Sequence, residues 1–165
     1  MTVLAWCLLV GCLFFACITD CISRRVYNFT WWIGAVAAGW LLWRRLWEGR
    51  LPGELLADLS LFFLLQLSLF CRMYGRADCY AFCVCAMAEA SLGMGLSGYL
   101  VHMLLSVVFL LPIQLLKGNI GSSGNLKKPV AFLPYIAAAF WSQLALCRLC
   151  PEIRGFAAHI YAVFS

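Results

Sequence analysis

Two aspartates, Asp20 and Asp78, are the residues of this chain whose settings point most directly to chemistry. The apolar run Val3 to Ile18 leads into Asp20-Cys21-Ile22-Ser23-Arg24-Arg25-Val26-Tyr27-Asn28, and a second apolar run follows. Gly75-Arg76-Ala77-Asp78 is wedged between apolar segments in a similar way. An acid at such a depth is costly and calls for a reason. Two carboxylates held close cannot both ionise cheaply, so the pair shares one proton. One acid then serves as general base toward a water and the other as general acid toward a carbonyl, the logic of aspartyl proteolysis. No competing constellation is present: there is no Gly-x-Ser-x-Gly, no His-Glu-x-x-His and no phosphate-binding loop. Asp20 lies where its helix ends, which disfavours negative charge, and Asp78 lies where its helix begins, which favours it. Asp20 is therefore expected to hold the shared proton.

The rest of the chain has to bring these two acids together. Of its 165 residues 65% are hydrophobic and 12% charged, with a mean hydropathy of +0.93. A soluble domain is typically about 45–50% apolar and about 25% charged. The expected fold class is therefore all-α, a polytopic membrane protein of about six transmembrane helices, each needing roughly 20 apolar residues. Residues 1–165 read as a single transmembrane domain with no soluble domain beside it. Helix 1 is expected from about Thr2 to Thr19; no charged n-region or cleavage site marks it as a signal peptide. Helix 2 runs from Phe29 to about Trp43, with Gly34, Ala35, Ala37, Ala38 and Gly39 permitting close helix approach. The stretch Arg44 to Glu54 suggests a short interfacial piece. Helix 3 spans about Leu55 to Cys71, helix 4 begins near Asp78 and ends around Gly93-Met94-Gly95, and helix 5 covers Leu96 to Leu116. A Gly/Ser-rich loop from Lys117 to Pro129 precedes helix 6, from about Val130 to Cys147. The tail after Arg148 is too short to span and suits the interface.

Six helices put the connections alternately on two sides. One side holds Arg24, Arg25, Arg72, Arg76, Lys117, Lys127 and Lys128; the other holds Arg44, Arg45, Arg50, Arg148 and Arg154, mixed with acids. The basic excess places the Asp20 and Asp78 loops in the cytoplasm. Parity puts both acids on one side at one depth. The net charge of +5 sits in short loops, where it sets orientation and does not point to nucleic acid. Most of the ten cysteines lie inside apolar runs and read as small apolar filling. Cys17, Cys21, Cys79 and Cys83 flank the acids at i,i+4 spacing, but apolar filling explains them better than a metal. The redox-like Cys147-Arg148-Leu149-Cys150 reads as structural. Arg24 and Arg25 read chiefly as topology anchors, Asn28 as a site hydrogen-bonder or a cap on helix 2, and Gly75 as a turn residue. Glu89 lies on nearly the same helix face as Asp78 and reads as a hydrogen-bonded structural acid. His102, inside helix 5, reads as a satisfied polar residue.

Asp20-x-x-x-Arg24-Arg25-Val26-Tyr27-Asn28 resembles the first motif of the type IV prepilin peptidases, an acid followed by Arg-Arg-Ile-Pro-Asn. Gly75-Arg76-Ala77-Asp78 resembles their second motif, Gly-x-Gly-Asp, shared in outline with preflagellin peptidases and presenilins. Lys128-Pro129-Val130-Ala131-Phe132-Leu133-Pro134-Tyr135 resembles the late Pro-Phe-Gly-Pro-Phe element. The chain departs from the pattern at Tyr27, Ala77, Tyr80, Ala131 and Leu133, but keeps both acids. The resemblance implies an aspartic endopeptidase with Asp20 and Asp78 catalytic. Arg24, Arg25, Asn28, Gly75 and Pro134 would support the site or bind substrate. It implies no metal and no organic cofactor. The soluble insert associated with N-methylation is absent, so peptidase activity alone is implied, as in the short forms serving tight-adherence pili or flagellin-like subunits. The implied partner is a pilin-like precursor with a short basic leader before an apolar helix, lying alongside helices 1 and 4 and cut on the cytoplasmic side of the inner membrane. The alternative is a non-enzymatic assembly factor or proton-coupled carrier. A carrier needs charges along a path near the midplane, whereas here only Glu89 lies deep.

Overall fold

In the computed structural model, residues 1–50, 52–73, 75–116 and 131–149 are described. They form six α-helices: α1 (Thr2–Ser23), α2 (Asn28–Trp47), α3 (Gly53–Ser68), α4 (Arg76–Ser91), α5 (Leu96–Leu116) and α6 (Leu133–Leu149). A 3₁₀ turn, Phe70–Arg72, extends α3, and no strand occurs among the described residues. The all-α expectation holds. Three stretches are long and apolar enough to cross a membrane: Thr2–Ser23, Gly53–Arg72 and Leu96–Leu115. These mark a membrane protein. The other helices are shorter or, like α2 with its five tryptophans, less apolar.

α4 occupies the centre. Cys79, Ala81, Phe82, Cys83, Val84, Cys85, Ala86, Ala88 and Ala90 are all buried, so apolar neighbours surround it on every side. Its side chains are mostly small, which lets α2, α3, α5 and α6 approach closely. The glycines and alanines of α2 serve the same end. A Cβ on Gly34 would lie 3.3 Å from Val84 Cγ1, and Ala37 and Ala38 are buried. Leu9, Leu13 and Ala16 of α1, Phe62 of α3, Tyr99 of α5 and Ile136 and Phe140 of α6 complete the core.

Several helix ends differ from the sequence expectation. α1 continues a further turn past Thr19, and Arg24 closes it in the left-handed conformation at φ 57°. α2 does not stop at Trp43, and its last turn replaces the start of the expected interfacial piece. Arg44 pairs with Glu48 at i,i+4 (2.9 Å), and Arg45 Nη1 donates to the Ser91 carbonyl at the end of α4 (2.7 Å), so both arginines find partners from within the helix. α6 starts at Leu133, not Val130. The Lys117–Pro129 loop, the tail after Leu149 and Cys150 lie outside the described residues.

Arg45 also covers Gly93, whose φ of +89° closes the α4–α5 turn; a Cβ there would meet Arg45 Nη2 at 2.9 Å. Gly93→Ala is expected to cost about 1–3 kcal/mol, mostly backbone strain. Gly49→Ala, at φ +65° and in open space, costs less. Thermal unfolding of the two variants in detergent checks the order.

Candidate active site

The two aspartates come to the same end of the bundle on different helices. Asp20 lies in the last turn of α1 and is half-buried. Its Oδ2 accepts a long hydrogen bond, 3.4 Å, from the backbone N–H of Leu133, the first residue of α6. That N–H has no partner within its own helix. Pro134, next in line, has no N–H to offer, which suits it to the first turn. Tyr135 and Ile136 both donate to the Phe132 carbonyl, so the Leu133 amide is left to Asp20.

Asp78 lies in the first turn of α4, outside the three stretches long enough to cross a membrane, and is half-buried. Gly75 precedes the helix at φ 114°, ψ 157°, a conformation open essentially to glycine alone. A Cβ at Gly75 would lie 3.8 Å from Asp78 Oδ2. Burial, and then the nearby Asp20 carboxylate, push the Asp78 carboxyl up to about 7. The two acids therefore lie within electrostatic reach of one another, and α6 packs against both of their helices, α1 and α4.

The surroundings of the two acids include a helix that the expected proton assignment left out. The dipole argument counted only the helices that carry the acids. The N-terminus of α6, with its positive dipole end and a donated N–H, faces Asp20. Asp78 is desolvated and faces the Asp20 charge, and both raise its pKa.

Among the supporting residues, Arg24 and Arg25 are exposed in the α1–α2 turn. Asn28 is not the cap of α2. Tyr27 holds that position in extended backbone and makes no side-chain cap bond, and Asn28 is the first helical residue. Asn28 instead lines a groove of about 400 Å³ whose floor is α4 and whose walls are α2 and α3. Tyr80, Cys83 and Met87 form that floor; Trp31, Phe63 and Leu67 form the walls. Pro134 is half-buried one residue after the amide that reaches Asp20. Cys79 and Cys83 are buried free thiols, Cys17 is half-buried and Cys21 exposed. Among the described residues no group of three or more His, Cys, Asp or Glu side chains is placed to hold a metal ion.

Two contacts were not visible in the sequence. Asp58 Oδ2 accepts the Leu96 N–H at 2.9 Å, capping α5 at the opposite end of the bundle. Glu89 and His102 pair in the core, Oε1 to Nδ1, at 2.8 Å. No protein-family model matches the chain, and no curated protein and no solved structure matches it.

Proposed function

We propose that this chain is an intramembrane aspartyl endopeptidase that removes the basic leader of type IV prepilin-like precursors. Cleavage occurs at the cytoplasmic face of the inner membrane, and the protein spans that membrane several times. The observation that carries the reading is the convergence of Asp20 and Asp78 at one end of the bundle, with Asp78 pushed up to about 7 by burial and by Asp20. The motif resemblance at the same two residues supports it.

The chemistry follows from the two environments. Asp20, as carboxylate, takes a proton from a water, and the water oxygen bonds to the scissile carbonyl carbon. Asp78 gives its proton to the carbonyl oxygen. The tetrahedral intermediate collapses, the C–N bond breaks, and the proton on Asp20 passes to the leaving amine. Asp78 recovers its proton from the collapsing hydroxyl, so the pair ends as it began. The substrate's apolar helix lies along the groove floored by α4, which begins at Tyr80 just beyond Asp78. Asn28 stands at the polar end of that groove, where the leader joins the helix.

Co-expression with a pilin-like precursor tests the reading. The wild-type chain is expected to shorten the precursor by its leader, and to leave untouched a control whose leader has been deleted. Electrophoretic mobility and N-terminal sequencing of the product provide the measurement. A precursor of full length in the presence of the membrane-inserted protein would refute the peptidase.

A further inference from the structure

Glu89 and His102 are an acid and an imidazole buried in the core, at 0% and 1% exposure. They join three helices. Glu89 of α4 presents Oε1 2.8 Å from Nδ1 of His102 on α5. His102 Nε2 lies 3.0 Å from the carbonyl oxygen of Ile136 on α6. A carbonyl oxygen only accepts, so Nε2 carries the proton and donates. One further proton is then shared between Oε1 and Nδ1. Glu89 Oε2 has no hydrogen-bond partner, so the carboxyl is held by its Oε1 contact to the ring alone. Phe82 and Phe140 hold the ring on either side, with centroids 5.3 and 5.8 Å away.

The place where this chain of bonds ends gives it a consequence. Ile136 lies one helical turn beyond Leu133, whose N–H reaches Asp20. Both residues are fully buried, and a turn of helix is stiff. The position of the Ile136 carbonyl along the bundle therefore fixes the position of the Leu133 amide. The Leu133–Asp20 bond is already long at 3.4 Å, so a small slide of α6 breaks it.

We propose that Glu89 and His102 are positioning residues: through the Ile136 carbonyl they set the first turn of α6 at the height where the Leu133 N–H meets Asp20. The imidazole is the strut, and Glu89 fixes its orientation and tautomer. α4 carries both Asp78 and Glu89, so the strut links the helix of one acid to the helix that caps the other.

The test uses the intact protein in lipid nanodiscs and follows the amide signal of Leu133 by NMR. In the wild type that signal moves with pH, because a proton entering the aspartate pair changes the acceptor the amide faces. Glu89→Met keeps the volume but leaves Nδ1 without a partner, and the pH-dependent movement is expected to be lost. Glu89→Gln, whose amide donates to the same nitrogen, restores it. His102→Phe fills the space between Phe82 and Phe140 without either ring nitrogen, and is read the same way if Glu89→Met does not fold. Persistence of the movement in Glu89→Met or His102→Phe overturns the proposal.

A kinetic arm rests on the peptidase reading. There kcat for leader cleavage is expected to fall by about a hundredfold in Glu89→Met at unchanged KM, and to recover in Glu89→Gln. The two arms separate the two ideas. An inactive wild type whose Leu133 signal responds to Glu89→Met sinks the peptidase and leaves the strut standing. An active wild type whose signal ignores the substitution sinks the strut alone.

Discussion

With asparagine at either Asp20 or Asp78, cleavage of a leader-bearing precursor falls by about 10²–10⁴-fold, the range general acid–base catalysis supplies. Asparagine has nearly the shape of aspartate but can neither take a proton from water nor give one to a carbonyl oxygen. In Asp20→Asn the side-chain amide would still offer an oxygen to the Leu133 N–H, so the bond that docks α6 survives while the base is lost. The double variant is expected to be little worse than either single one, because two groups working as a unit lose their shared function together. Asp58 supplies the control. It too accepts the first N–H of a helix from another element, at 2.9 Å, but at the far end of the bundle. Asp58→Asn is expected to leave cleavage unchanged. Turnover of purified precursor by the four variants is the measurement. Equal losses at Asp20, Asp58 and Asp78 would mean that helix capping, not acid–base chemistry, had been removed.

The sequence made the helices legible because uninterrupted apolar runs leave little else for the backbone to do in a bilayer. It blurred their ends. Asp20, Cys21 and Ser23 look like loop residues, yet Thr19 and Ser23 hydroxyls bond back to carbonyls of the preceding turn and the helix absorbs them. Arg44 and Arg45 look like a break, yet one finds Glu48 and the other the Ser91 carbonyl. The two acids were legible as a pair because counting helices assigns each connection to a side. The contact of Asp20 with the start of α6 was not, because that helix is distant in sequence from both acids. The Glu89–His102 pair was hidden for the same reason. Each residue was read as a buried polar group, but the rotation of α4 against α5 sets their meeting, and no spacing records it.

Asp78 makes activity and stability depend on pH in a linked way. Its carboxyl sits near 7 in the fold, against an ordinary value of 3.8. Between those values the folded protein keeps a proton that the unfolded chain has released, so stability falls as pH rises. The loss begins above the lower value and is complete once pH has risen through about 7. Each unit is worth about 1.4 kcal/mol, and solvent screening at a carboxyl that is only partly buried leaves about 2 kcal/mol in all. Cleavage follows the same proton: with Asp78 ionised no acid remains for the carbonyl oxygen, and kcat/KM is expected to drop as pH rises through about 7. Asp78→Asn separates the two effects. It stays neutral at every pH, so its thermal midpoint in detergent is expected to vary less than the wild type's between about pH 5 and about pH 8, and to exceed it at the upper end. The same variant is inactive throughout. A site residue whose replacement removes function while stabilising the alkaline form is held against its own preference, as a working acid must be. If the wild type and Asp78→Asn instead lose stability in parallel across that range, Asp78 is an ordinary surface carboxylate and the shared proton does not exist.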